Sequence, residues 1–139
     1  MQIDTSSEFG ARVARRLNAE SVGWLTTMAA DGAPQPSPIW FLWDGETALI
    51  YSQPNTPKLR HIAANPKVSL NLNGNDSGGD IVILTGQARV DEATPPAHQV
   101  PAYLAKYAEG IKGIGMTPES FAQAYSVPIR FTPAKLRGH

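Results

Sequence analysis

The stretch LIYSQPNTPKLRHIAANPKVSLNL, residues 49–72, predicts a strand, a tight loop, a short helix and a second strand. Thr56 is a good residue to cap a helix, and Pro57 suits the first helical position because it has no N–H to leave unpaired there. Pro66 requires the helix to end before it, since the residue preceding a proline avoids helical backbone angles. The stretch therefore opens a helix after a short loop that follows one strand, and closes the helix before the next strand.

The start of this helix has the properties of a phosphate-binding site. The first N–H groups of a helix have no partner within the helix, and Lys58 and Arg60 add two positive charges beside them. An ordinary capped helix with two solvated surface cations is the alternative. The stretch taken alone does not decide between the two interpretations.

Composition limits the class of protein. The 139 residues suit a single domain, 1–139, with a core of its own. Twelve basic and twelve acidic residues give zero net charge, which argues against a nucleic-acid-binding protein. There is no cysteine and the three histidines are far apart, so no disulfide framework and no metal site are expected. No segment has the pattern of a signal peptide or a membrane span, which predicts a cytoplasmic protein without membrane contact.

The segment before residue 49 predicts a helix and then strands. Residues 5–8 form a possible capping box, and apolar residues follow at four-residue spacing. Residues 21–28 and 34–43 predict two strands joined by an Asp-Gly turn, and residues 47–52 predict a third. The prolines in the first half of the second strand cannot donate to a ladder, which places that half at a sheet edge or a bulge where a ligand has access to the backbone. We expect the three strands to pair as a meander.

The second half of the chain predicts two more strands beside the helix. Residues 67–73 alternate, with a polar face that consists of Ser69, Asn71 and Asn73. Residues 81–90 form the next strand or strand pair, in which Gly86 indicates a bulge or a barrel bend. Residues 74–80 are expected to form a flexible loop between them.

The remaining residues predict two helices and a last strand. One helix is expected at 93–107, with Val100, Leu104 and Tyr107 on one side, and another at about 118–125. The three glycines between them, at 110, 113 and 115, indicate a mobile link, and residues 127–131 predict the final strand. Six or seven strands in antiparallel order with few long crossovers favour a mainly β fold, a β-barrel with helical decorations.

No set of side chains predicts catalysis by the protein alone. The sequence contains no GxSxG, no GxGxxG and no P-loop motif, and no histidine is placed as a general base. We therefore assign no catalytic residue. If the protein is an enzyme, a bound cofactor carries the reaction while the chain supplies binding and orientation.

The order of these elements resembles a known family. Five features in order are similar to those of the flavin and deazaflavin oxidoreductases related to pyridoxamine 5′-phosphate oxidase. They are the strand ending in an Asp-Gly turn, the Pro-Ser-Pro-aromatic strand, the TPKLR loop, the Asn-Pro before a polar-alternating strand and the closing FTPAKLRG. The match covers about the first 90 residues and the C-terminus, and residues 91–125 match loosely. The resemblance implies an antiparallel split β-barrel of the FMN-binding type.

The same resemblance implies which residues bind a cofactor. Lys58 with Thr56 and Arg60 would hold its phosphate, and Ser52 would begin the phosphate loop. The backbone of Ser37, Pro38, Ile39 and Trp40 would lie along the tricyclic ring. Asn71 and Asn73 would meet a cofactor bound mainly by the other subunit of a homodimer, although a solvated strand face explains them equally well. Packing in the core or in a dimer is the alternative for Trp40 and Trp43, and is preferred for at least one of them.

The cofactor and the reaction follow from the branch of the family. The chain lacks the C-terminal arginine and histidine signature of pyridoxamine phosphate oxidases, and it looks more like the branch that uses coenzyme F420. The resemblance therefore implies hydride transfer between F420 and an unsaturated or quinone-like small molecule. One alternative is an FMN-dependent oxidoreductase of the pyridoxamine phosphate oxidase type. Another is a non-catalytic protein that binds flavin, deazaflavin or haem.

Overall fold

The computed structural model describes residues 1–139, which form one seven-stranded antiparallel sheet and four α-helices. The strands are β1 Gly23–Met28, β2 Pro34–Ile39, β3 Leu42–Trp43, β4 Ala48–Ser52, β5 Lys67–Asn71, β6 Val82–Val90 and β7 Val127–Gly138. The helices are α1 Glu8–Ala19, α2 Pro57–Ala64, α3 Pro101–Gly113 and α4 Pro118–Ala124, with a 3₁₀ turn at Ala97–Gln99. None of these helices combines the length and the apolar character needed to cross a membrane.

The order of the strands curls the sheet into a split barrel. Neighbouring strands follow the order β2-β1-β5-β6-β7-β4-β3, so β2 and β3 are the two edges. These edge strands are consecutive in the chain and are joined only by Trp40 and Phe41, which brings the two edges of the sheet close together. The expected mainly β fold, a split β-barrel with helical decorations, is confirmed.

The expected three-stranded meander is wrong in one respect. The segment from Pro34 to Trp43 is two strands, because the chain leaves β1 after Ile39 and joins β4 at Leu42. The backbone N–H of Phe41 donates to the Tyr107 hydroxyl at 2.8 Å, and Lys106 Nζ donates to the Phe41 carbonyl at 2.7 Å. Contacts from α3 therefore hold the junction between the two edges. The expectation that the proline-rich half is an edge strand is confirmed.

Two apolar clusters lie on the two sides of β4. Every residue of this strand is buried. Ala48 and Ile50 face the barrel interior, where they join the larger core together with Trp43. Leu49 and Tyr51 face outward and pack with Tyr103, Phe121 and other residues of α3 and α4 in a second cluster. Strand β4 thus carries the helical layer on its outer face.

A bulge bends the long β6–β7 pair. The register shifts between Thr85 and Gly86, where Gly86 lies opposite Pro133. A Cβ atom on Gly86 would lie 2.1 Å from the Thr132 carbonyl oxygen, so only glycine fits this close approach of two backbones. The predicted bulge is confirmed.

The C-terminal third differs from the expected arrangement. Two consecutive prolines, at 95 and 96, keep the chain extended there, and α3 begins only at Pro101 and continues to Gly113. Gly110 and Gly113 therefore belong to the helix and not to a mobile link. The buried face of α3 consists of Tyr103, Tyr107 and Ile111, in place of the expected Val100, Leu104 and Tyr107.

The limits of three further elements, β7, α1 and β5, also depart from expectation. The last strand does not stop at Phe131 but continues to Gly138, because β7 pairs with β6 along that length. Helix α1 is capped by Ser7, whose side chain accepts from the Gly10 N–H, so the cap is the third residue of the expected capping box and not its first. Strand β5 ends at Asn71, two residues before the expected end.

Candidate functional site

The end of β4 and the start of α2 form one side of the candidate site. Thr56 precedes the helix as expected, but its side chain does not cap it. Ser52 is buried, and its Oγ donates to the Gln53 carbonyl at 2.8 Å and lies 3.1 Å from Thr56 Oγ1. Because the Ser52 hydroxyl donates its only proton to the Gln53 carbonyl, the Thr56 hydroxyl is the donor in its bond with Ser52. The hydroxyl pair fixes the loop and leaves the helix start without a side-chain cap.

Lys58 places a half-buried cation at this helix start. Burial lowers the pKa of Lys58 below its ordinary value, since the charged ammonium loses water there. Lys58 takes part in none of the five ion pairs of the chain. A partly desolvated cation without a carboxylate partner is stabilised by an anion that binds beside it. Lys58 is therefore the best candidate for an anion-binding side chain.

Aromatic side chains form the opposite wall. The indole of Trp40 stacks on Tyr107 with 4.8 Å between ring centroids and on Phe121 with 5.7 Å. Phe121 stacks in turn on Tyr125 at 4.6 Å. Burial raises the pKa of the neighbouring Tyr51 to about 12, so this phenol is neutral at physiological pH. The wall is apolar and suits a planar ring.

A cleft of about 410 Å³ lies between the helix start and the aromatic wall. Its lining includes six of the ten predicted site residues: Pro38, Ile39, Trp40, Ser52, Thr56 and Lys58. The volume falls in the range of small-molecule and cofactor sites. One end offers hydroxyls and a cation, and the other offers apolar rings, which is the arrangement that a ligand with a phosphate and a planar ring system requires.

The lining also shows the separate roles of the two tryptophans. Trp40 is partly exposed at the cleft while its ring packs on α3 and α4, and Trp43 is buried in the barrel core. The preference for packing is confirmed for Trp43. The edge strand β2 contributes Pro38 and Ile39, with Ile39 only 6% exposed.

Two predicted site residues near the cleft are absent from its lining. Arg60 is exposed, and its guanidinium donates to the Asn55 carbonyl at 3.1 Å. Residues i and i+2 of a helix point in different directions, so Lys58 and Arg60 cannot both face the cleft closely. Ser37 is half-buried in β2, opposite Leu25, and also lies outside the lining.

Asn71 and Asn73 lie elsewhere on the sheet. The amide of Asn71 donates to the Leu72 carbonyl at 3.2 Å, and Asn73 Oδ1 accepts from Trp24 Nε1 at 3.0 Å. Neither side chain lines the cleft of the same chain. Ser69, on the same polar face, lines a separate open groove of about 530 Å³ between β1, β5, β6 and β7.

Comparison with protein families decides the assignment of the chain. The model of the pyridoxamine 5′-phosphate oxidase family matches residues 9–139. The chain belongs to the pyridoxamine 5′-phosphate oxidase family. A comparison with curated proteins finds no match.

Solved structures of the same fold carry different descriptions. An F420 reductase is 25% identical, with a TM-score of 0.64 over 88% of this chain and 94% of that chain. Protein Rv2991 from Mycobacterium tuberculosis is 24% identical, with a TM-score of 0.71 over 94% of this chain and 82% of its own. HutZ, a haem storage protein from Vibrio cholerae, is 15% identical, with a TM-score of 0.64 over 99% and 95% of the two chains. The last two likenesses show the fold alone.

Sequence reasoning missed most of the aromatic wall of this family member. Tyr51, Tyr103, Phe121 and Tyr125 all line the cleft, and none was predicted as a site residue. The spacing of Tyr103, Tyr107 and Ile111 is the helical i, i+4, i+8 pattern, which was a signal for the buried face of α3. The expected helix ended at residue 107, so Ile111 lay outside it and the pattern was incomplete.

Proposed function

We propose that the protein is an F420-dependent oxidoreductase that transfers a hydride between the deazaflavin and an unsaturated or quinone-like small molecule. The observation that carries the proposal is the unpaired, half-buried Lys58 at one end of a cleft with an aromatic wall. Family membership supports a cofactor of the flavin type. The F420 reductase of the same fold, at 25% identity, favours the deazaflavin among such cofactors.

The residues present fit such a cofactor. Lys58 would pair with its phosphate, and the uncapped start of α2 would add backbone N–H donors to the same oxygen atoms. The edge of β2 at Pro38 and Ile39 and the rings of Trp40 and Phe121 would enclose the planar ring system. When bound, the deazaflavin supplies or accepts the hydride. The chain contributes binding, orientation and exclusion of water from the ring.

The homodimer implied by the resemblance is part of the same proposal. The polar face of β5, with Ser69 and Asn71 half-buried, lies outside the cleft of its own chain, as does the exposed Asn73 just after the strand. These side chains would meet the cofactor of a second subunit if the open face of β1, β5 and β6 is the contact surface. Each site would then combine Lys58 of one subunit with polar residues of the other.

FMN is the second candidate, because the family model that matches the chain is that of pyridoxamine 5′-phosphate oxidase. The phosphate of FMN would use the same Lys58 and helix start. The lining contains no histidine and no methionine to ligate haem iron. Tyrosine can ligate haem iron as its phenolate, but burial raises the pKa of Tyr51 and Tyr103 and so disfavours that form. The haem storage protein of the same fold, at 15% identity, supplies no argument beyond the fold.

Titration of the ligand-free protein with F420 and with FMN tests the proposal. We expect saturable F420 binding, read from the change in F420 fluorescence, and much weaker binding of FMN. The bound F420, once reduced, should transfer its hydride to menadione, read from the return of the oxidised F420 absorbance. Tight binding of FMN with none of F420 would replace the proposal with the FMN alternative.

A further inference from the structure

The hydroxyl of Tyr103 is a polar group without a partner in the wall of the cleft. The side chain is 0% exposed, and its hydroxyl oxygen makes no hydrogen bond within the chain. Buried hydroxyl groups in folded proteins nearly always have a partner, because an unpaired one loses its bonds to water without replacement. Tyr103 also lines the cleft. The missing partner is therefore to be sought in a molecule that fills the cleft.

The neighbouring tyrosines show that the orphaned hydroxyl is not a general property of this cluster. The Tyr107 hydroxyl accepts from the Phe41 N–H at 2.8 Å and lies 2.7 Å from the Ser21 carbonyl oxygen, to which it can donate. The Tyr51 hydroxyl donates to the Pro95 carbonyl at 2.6 Å. Both groups are satisfied by the chain itself. Tyr103 packs against both rings, at centroid distances of 5.0 Å from Tyr51 and 4.9 Å from Tyr107, yet has no such acceptor.

The surroundings of Tyr103 indicate the chemistry of the partner. Its ring neighbours are Tyr51, Tyr107 and Phe121, and burial raises the pKa of the Tyr103 phenol far above its usual range. The group therefore remains a protonated donor across the physiological pH range. An aromatic wall favours an uncharged acceptor over an anion, because an anion would lose its hydration there. A carbonyl oxygen on a planar conjugated ring meets both conditions.

We propose that the Tyr103 hydroxyl donates a hydrogen bond to a carbonyl oxygen of a planar conjugated ring bound in the cleft. The ring has two possible sources, the deazaflavin itself or a quinone-like acceptor, and in this respect the inference rests on the proposed function. Because the hydroxyl has almost no accessible surface, the contact requires that a neighbouring ring shifts when the ligand binds. Phe121 on α4 is such a neighbour, with its centroid 6.0 Å from that of Tyr103.

The variant Tyr103→Phe separates this role from a structural one. Without a ligand, removing an unpaired hydroxyl should leave the thermal midpoint unchanged or raise it. With the ligand, the dissociation constant should increase about three- to tenfold, the loss expected for one neutral hydrogen bond. Tyr107→Phe is the matched control, since Tyr107 is absent from the lining of the cleft and its hydroxyl is already bonded to Phe41 and Ser21. It should lower the thermal midpoint, because it leaves the Phe41 N–H without that acceptor, and change the dissociation constant by less than about twofold.

Two ligand titrations distinguish the sources of the carbonyl. Weaker binding of F420 by Tyr103→Phe assigns the contact to the cofactor. If Tyr103→Phe leaves the affinity for F420 unchanged but weakens the binding of menadione to the F420-loaded protein, the contact is assigned to the acceptor. In that case 2-methylnaphthalene, which has no carbonyl, should bind the wild type and Tyr103→Phe equally. The proposal is overturned if Tyr103→Phe changes neither affinity, or if it lowers the thermal midpoint as a bonded hydroxyl would. If the wild type binds menadione in a Tyr103-dependent way but does not bind F420, the proposed cofactor is wrong and the role of Tyr103 stands.

Discussion

Replacing Lys58 with methionine tests the proposed contact between the Lys58 ammonium group and the phosphate of the cofactor. The substitution keeps most of the aliphatic stem and removes the ammonium group. Lys58 is half-buried, pairs with no carboxylate and lines the cleft beside Thr56. Its loss should therefore affect the affinity for a phosphate-bearing ligand without breaking an ion pair of the fold.

The expected magnitude follows from the type of bond. A hydrogen bond between charged groups contributes about 1.5 to 3 kcal/mol, which corresponds to about a tenfold to a hundredfold increase in the dissociation constant. Removing a partly desolvated cation should leave the stability of the ligand-free protein unchanged or slightly higher, because burial disfavours the charged form. Weaker binding with no loss of stability is the combined result that we expect.

The assay is a fluorescence titration of F420 at pH 7.5 and two salt concentrations. Arg60→Met is the matched control, since Arg60 lies on the same helix but is exposed and bonded to the Asn55 carbonyl. A surface charge at that position is screened by salt, so we expect a change of about twofold or less, smaller still at the higher salt concentration. The difference between the two variants measures the contact and not the net charge of the protein.

Two results would contradict this reasoning. Equal losses for Lys58→Met and Arg60→Met would show that the cations act through long-range attraction only. An unchanged dissociation constant in Lys58→Met, with a folded protein by circular dichroism, would remove the phosphate from this helix start altogether.

Three further predictions concern the fold and the assembly. Gly86→Ala should lower the free energy of unfolding by about 2 to 3 kcal/mol in a urea titration, because its Cβ would lie 2.1 Å from the Thr132 carbonyl oxygen, whereas Gly113→Ala, with nothing within 4 Å, should not destabilise the protein. Burial lowers the pKa of Lys106 from 10.5 to about 8, so the unfolded chain binds the proton more tightly and stability should rise with pH between about 8 and 10.5. Thermal midpoints at pH 7.5 to 9.5 should show this rise in the wild type and a smaller one in Lys106→Met. Light scattering should give the mass of a dimer, and Asn71→Arg on the open sheet face should shift it toward the monomer; a wild-type monomer at all concentrations would refute the shared site.

Local sequence signals predicted the limits of helix α2 well, but they did not predict the break between β2 and β3. Helix α2 begins at Pro57 and ends before Asn65, where Thr56 and Pro66 placed its limits, because both signals act within a few residues. The break between β2 and β3 has no such signal in the apolar run from Ile39 to Trp43. It depends on Tyr107 and Lys106, which bind Phe41 from more than 60 residues away in the chain. A contact of that kind cannot be read from the run itself.

The same distinction divides the candidate site. The cationic end of the cleft, with Lys58, is built by one contiguous segment, so its residue types and order were visible in the sequence, although helix geometry separates Lys58 from Arg60. The ring end needs Tyr103 from α3 and Phe121 from α4, and these elements meet only because β4 buries its outer face against them. The predicted α3 ended at Tyr107, so Ile111 lay outside it, and Val100 and Leu104 were taken as its buried face in place of Tyr103. The residues at the cationic end of the cleft were therefore predictable, while the residues of its aromatic end required the packed structure.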